Sequence, residues 1–197
     1  EVKGIGSKLR VIPNGFDEPD FTKSVPLTKK FTLTMFGGIT SPSRLKPSFF
    51  EALGQLYKEG IISYVNFELR FVGTDLRNKI KALVNTFGIE DLTVFYDWIP
   101  FEESVRMQKE STSRFSLLDY ESSRDQYVCP GKLFEYIGAG RPILGIFTQK
   151  GDSSQILKET GCGIVVNTIT DIKKVLLQWI TEFREKGKIV SYYQPQP

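Results

Sequence analysis

The chain has 197 residues, 40% of them hydrophobic and 25% charged, with a net charge of +3, which is the balance of one folded domain rather than of a disordered or membrane chain. It contains no histidine, so Ser-His-Asp triads, Cys-His pairs and histidine-ligated metals are excluded together. Lysines and arginines are scattered among carboxylates, which argues against nucleic acid as a partner. No apolar run reaches the roughly 20 residues that span a bilayer and no signal-peptide pattern opens the chain, so a cytosolic address is expected. Cys129 and Cys162 are too few for a zinc site or a disulfide framework and read as small buried hydrophobes.

In chain order, an opening loop at Glu1 to Arg10 leads into Val11-Ile12-Pro13-Asn14-Gly15-Phe16-Asp17, a strand end running into a turn, and the start reads as cut from something longer. A first strand is predicted at Phe31–Phe36. The loop after it, Gly37-Gly38-Ile39-Thr40 followed by Arg44 and Lys46, has glycines that let backbone approach a ligand and cations that offset a phosphate; a tight turn with solvated charges is the plainer alternative. Phe49, Phe50, Leu53 and Leu56 then show a helical period. A second strand at Phe67–Val72 ends on Gly73, where Thr74 or Asp75 is expected to cap the helix carrying Leu76, Ile80, Leu83, Val84 and Phe87. A third strand at Leu92–Tyr96 leads into Asp97-Trp98-Ile99-Pro100, a loop whose main chain is suited to a nucleobase edge and which closes on a helix starting near Pro100.

The fourth strand is predicted at Phe115–Leu118. After it come Glu121, Asp125 and Tyr127 in a polar loop, and then Pro130, expected at the first helical position with the amides of Gly131 and Lys132 free at a positive helix end where an anion can rest. Glu135, one turn further in, is either a first-turn glutamate that stabilises the helix or a carboxylate that meets a ligand. Gly138-Ala139-Gly140 is not a dinucleotide fingerprint, because it closes a helix and precedes a strand; Gly140 reads as a helix C-terminal cap. Strands at Pro142–Phe147 and Gly163–Val166 follow, then a helix from Asp171 to Glu185 with Ile172, Val175, Leu176, Trp179 and Phe183 on one stripe and Asp171 as its cap.

Alternating strands and helices, with strands apolar on both faces, predict an α/β fold: a Rossmann-like three-layer α/β/α sandwich around a parallel sheet of about six strands. One domain is expected over residues 1–186, with a C-terminal tail over 187–197. In such sheets ligands bind beyond the carboxyl ends of the strands, which is where the loops above would lie.

Taken in order, these segments resemble the C-terminal domain of the retaining GT-B glycosyltransferases of family four. Ile12-Pro13-Asn14-Gly15-Phe16-Asp17 is similar to that domain's entry segment, Gly38 with Arg44 or Lys46 to its phosphate loop, and Phe71-Val72-Gly73 to its second strand. Leu133-Phe134-Glu135-Tyr136-Ile137-Gly138-Ala139-Gly140-Arg141-Pro142 is similar to its donor-site segment. The resemblance implies a donor domain that binds a nucleoside-diphosphate sugar, uridine-linked, for retaining transfer to a saccharide or lipid-linked acceptor, with the acceptor-binding N-terminal half absent and a peripheral membrane association through that half. It implies that Glu135 takes hydrogen bonds from the ribose hydroxyls and that Arg44, Lys46 and Lys132 offset the diphosphate. Gly37, Gly38, Gly73, Asp97, Trp98, Ile99, Tyr127 and Gly131 would complete the donor contacts, with neither metal nor separate cofactor. One departure stands out: the family often carries a second glutamate eight residues before the first, and here that position is Tyr127, which leaves the donor sugar to Tyr127, Asp125 or Glu121. The alternatives are a nucleotide-sugar epimerase of the same architecture and a non-catalytic nucleotide-binding or interaction module.

Overall fold

The computed structural model describes residues 10, 12, 14–39, 41–117 and 127–191. Six parallel strands form one sheet in the order β3-β2-β1-β4-β5-β6. They are β1 (Phe31–Phe36), β2 (Phe67–Val72), β3 (Thr93–Tyr96), β4 (Ser113–Leu117), β5 (Ile143–Ile146) and β6 (Gly163–Val166). The helices between them are α1 (Pro47–Lys58), α2 (Arg77–Phe87), α3 (Phe101–Glu110), α4 (Gly131–Gly138), α5 (Asp152–Thr160) and α6 (Ile169–Lys186).

Side chains alternate between the faces of a strand, and here the alternation assigns each helix to a layer. Phe31, Leu33 and Met35 of β1 join Phe67, Leu69 and Phe71 of β2 in a core closed by α1, α2 and α6. Phe36 and Val72 face the opposite way, into a second core with Met107 of α3, Leu133 and Tyr136 of α4 and Leu157 of α5. The result is the three-layer α/β/α sandwich expected from the sequence. The expectation of strands apolar on both faces holds for β5 and β6, whereas β1, β2 and β4 also bury Thr32, Thr34, Arg70, Ser113 and Arg114. They are paired rather than orphaned, as buried polar groups must be; the Thr34 hydroxyl, for example, lies 2.8 Å from that of Ser111.

Local chemistry moves several boundaries. The cap of α6 is Thr168, whose hydroxyl accepts the Asp171 amide at 3.1 Å and donates to the Asp171 carboxylate at 2.7 Å, so Asp171 is the reciprocal partner in the first turn rather than the cap. Neither Thr74 nor Asp75 caps α2, which starts at Arg77 behind Leu76 without a side-chain cap. Pro130 precedes α4 in extended backbone instead of being its first residue. Cys162 is buried as expected, whereas Cys129 is half-buried. Among the described residues no helix is long and apolar enough to cross a membrane.

Candidate functional site

Order 3-2-1-4-5-6 reverses the winding direction between β1 and β4, and the neighbouring crossovers leave a crevice at that switch point. The pairing of β1 with β4 covers Leu33 and Thr34, whereas β1 stays in register with β2 through Phe36. Phe36 therefore needs a partner on the β4 side, and Tyr136 of α4 supplies it. The Tyr136 hydroxyl accepts the Phe36 amide at 2.7 Å and donates to the Phe36 carbonyl at 3.3 Å. Burial drives the pKa of this phenol far above its ordinary range, against the opposing pull of that backbone contact and of Arg114, so it stays a neutral donor and acceptor.

Beyond Phe36 the chain turns at Gly37, whose φ of +89° favours glycine and whose amide is bound by the Val72 carbonyl at 2.9 Å. The Lys132 side chain lies across this turn, 3.7 Å from where a Gly37 Cβ would stand. Lys132 thereby separates two lobes of one cleft. The first, of about 160 Å³, is lined by Gly37, Gly38, Arg44, Pro130, Gly131 and Lys132, among others. It combines two cations with the start of α4, a setting that favours an anion. The second, of about 190 Å³, is lined by Gly37, Gly73, Trp98, Ile99, Ser104 and Lys132, among others. Trp98 is 71% exposed, yet its ring comes within 2.9 Å of where a Gly73 Cβ would be, so Gly73, at φ +63°, is what allows the indole to lie flat at the mouth.

Glu135 sits one side chain behind the cleft. Lys132 Nζ binds its Oε2 at 2.6 Å, and Gln108 Nε2 of α3 binds the same oxygen at 3.0 Å. Gln108 is fully buried, and its Oε1 has no hydrogen-bond partner; leaving such an acceptor unsatisfied costs about 1–3 kcal/mol. The buried Arg114 guanidinium donates to the carbonyls of Gln108, Tyr136 (3.1 Å) and Arg141 (2.8 Å), tying the end of α3 to the end of α4.

The structure thus gathers Gly37, Gly38, Gly73, Trp98, Ile99, Gly131, Arg44 and Lys132 around one cleft, with Glu135 next to it. Besides Glu135, three expected residues are not among its lining. Lys46 stands at the start of α1, past the turn that carries Arg44 inward. The Asp97 carboxylate is held at the rim by Arg77 Nη2 at 2.7 Å. Tyr127 is 66% exposed. Glu121 and Asp125 lie outside the described residues. Gln108, Arg114 and Tyr136 were not singled out from the sequence as site residues; their partners are distant in the chain, and only the Tyr of the Leu-Phe-Glu-Tyr segment carried any signal. A larger cleft of about 670 Å³ lies at the amino ends of the strands, between Thr28, Asn66 and Lys188. Its one glycine turn, Gly187, closes α6 rather than opening a helix, and it lies away from the carboxyl ends of the strands, where sheets of this kind bind ligands, so the switch-point cleft is the candidate. Among the described residues no cluster of carboxylates and thiols could hold a metal ion.

No protein-family model matches the sequence, and no curated protein matches it. Solved structures do. WaaG, a glycosyltransferase involved in lipopolysaccharide biosynthesis, superposes with a TM-score of 0.64 at 18% identity over 89% of this chain and 48% of its own. The C-terminal domain of a glycosyl transferase group 1 family protein (LpcC) from Francisella tularensis gives 0.61 at 16% identity, over 89% of this chain and all (100%) of that domain. A protein assigned as a UDP-N-acetylglucosamine 2-epimerase from Listeria monocytogenes gives 0.53 at 13% identity, over 84% of this chain and 41% of its own. The fold is therefore that of a GT-B C-terminal domain, and the chain spans about half or less of the length of the full-length proteins among these.

Proposed function

We propose that the switch-point cleft binds a nucleoside-diphosphate sugar, uridine-linked, and that the chain is the donor domain of a glycosyltransferase. The observation that carries this reading is the position of Lys132: its side chain crosses the Gly37 turn where the two lobes meet, and its ammonium lies 2.6 Å from the Glu135 carboxylate. A diphosphate in the first lobe would meet Arg44, Lys132 and the amides that open α4. The nucleoside would extend into the second lobe against Trp98 and Ile99, with its ribose passing Glu135. As the sugar leaves, negative charge grows on the diphosphate, and fixed cations and amides stabilise it most because they are already in place. Transfer with retention to a saccharide or lipid-linked acceptor, performed with an acceptor-binding N-terminal half that can rest on the membrane, completes the proposal. An epimerase reading is favoured by the likeness to the Listeria protein and is told apart by turnover of a nucleotide sugar without any acceptor.

Calorimetric titration tests the site. UDP is expected to bind, and Arg44→Ala or Lys132→Ala to weaken it by about tenfold or more, since a charge-assisted hydrogen bond contributes roughly 1.5–3 kcal/mol. Affinity for uridine should barely change. Unaltered UDP affinity in both variants would refute the phosphate roles.

A further inference from the structure

Two donors converge on one oxygen of Glu135, and they differ in kind. Lys132 is a long side chain, 35% exposed, that lines both lobes. Gln108 is fully buried on α3, its backbone carbonyl gripped by Arg114 and its Nε2 also 3.3 Å from the Ser104 hydroxyl. The amide must present its nitrogen here, because a carboxylate only accepts. Among the described residues the other Glu135 oxygen, Oε1, accepts no hydrogen bond. Resting on the donor-site reading above, the consequence is mechanical: when a diphosphate enters, the Lys132 ammonium has a second anion to satisfy, and Gln108 is the donor that stays.

We propose that Gln108 is a positioning residue that keeps the Glu135 carboxylate oriented, with Oε1 open, toward the ribose hydroxyls while Lys132 turns to the diphosphate. The unsatisfied Oε1 of Gln108 supports this, since an apolar side chain of the same volume would fill the site without an orphaned acceptor. Glutamine acts here through its nitrogen.

The test is a ligand series, UDP, 2′,3′-dideoxy-UDP and inorganic pyrophosphate, titrated onto the wild-type chain, Gln108→Met, Gln108→Leu and Glu135→Ala. Wild type should favour UDP over the dideoxy compound by about tenfold or more. In either Gln108 variant that ratio should shrink by about fivefold or more, with pyrophosphate affinity unchanged, and adding Gln108→Met to Glu135→Ala should change it no further. A wild-type ratio in a folded Gln108 variant overturns the inference alone. Parallel weakening of all three ligands overturns it too, as the mark of a merely structural residue. Absence of UDP binding by the wild-type chain overturns the donor-site reading and the inference with it.

Discussion

Tyr136 and Gly73 show how single residues set the cleft. Removing the Tyr136 hydroxyl would strand the Phe36 amide and carbonyl in a buried place, so Tyr136→Phe should lower stability by about 1–3 kcal/mol in urea unfolding while leaving the ring contacts with Phe36. Gly73→Ala forces a side chain into left-handed backbone and into the Trp98 ring; a loss of about 1–2 kcal/mol, together with weakened UDP binding, is expected from thermal melts and titration. Cys129 should label slowly with a thiol reagent at pH 8: burial raises its pKa, Asp152 adds to the rise, and the opposing hydrogen bond of Ser153 does not offset them. The glycines and cations of the cleft were legible in the sequence because their chemistry is intrinsic. Gln108 and Arg114 were not, because a buried polar side chain is meaningful only through partners brought together by folding.

At the scale of elements, short apolar runs located all six strands and helical apolar periods located α1, α2 and α6, since burial is written into each segment on its own. Helix starts were less legible. The sequence points to Asp171 as the cap of α6, but the φ of −103° and ψ of 152° at Thr168, three residues earlier, make that residue the cap. Thr168→Ala should cost about 0.5–2 kcal/mol of stability. At the far end of α6, Glu182 accepts the amides of Val190 and Ser191 at 2.8 and 3.1 Å. Burial raises the pKa of this carboxyl, but the bonds from Ser191, Val190 and Gln178 outweigh it and hold it below the usual glutamate range. With a lowered folded pKa, its contribution is fully present above the unfolded value of about 4.3 and is lost as pH falls through the folded one. The protection factors of the Val190 and Ser191 amides should therefore fall in acid before the sheet opens, and in Glu182→Gln this acid step should vanish.

For the whole molecule, the strand order decides where function can lie. Alternating strands and helices predicted a parallel sheet, yet the position of the switch point between β1 and β4 follows from the crossovers, which no local pattern states. That one topological fact places the Gly37 turn, the Gly73 loop and the start of α4 around a common crevice, although they are far apart in sequence. It also separates them from the larger cleft at the amino ends of the strands. On this topology the switch-point cleft, and not that larger one, is proposed to receive the nucleotide. When UDP is added, backbone amide shifts should change saturably around Gly37, Gly73, Gly131 and Lys132; changes confined to Thr28, Asn66 and Lys188 would place the nucleotide in the other cleft instead.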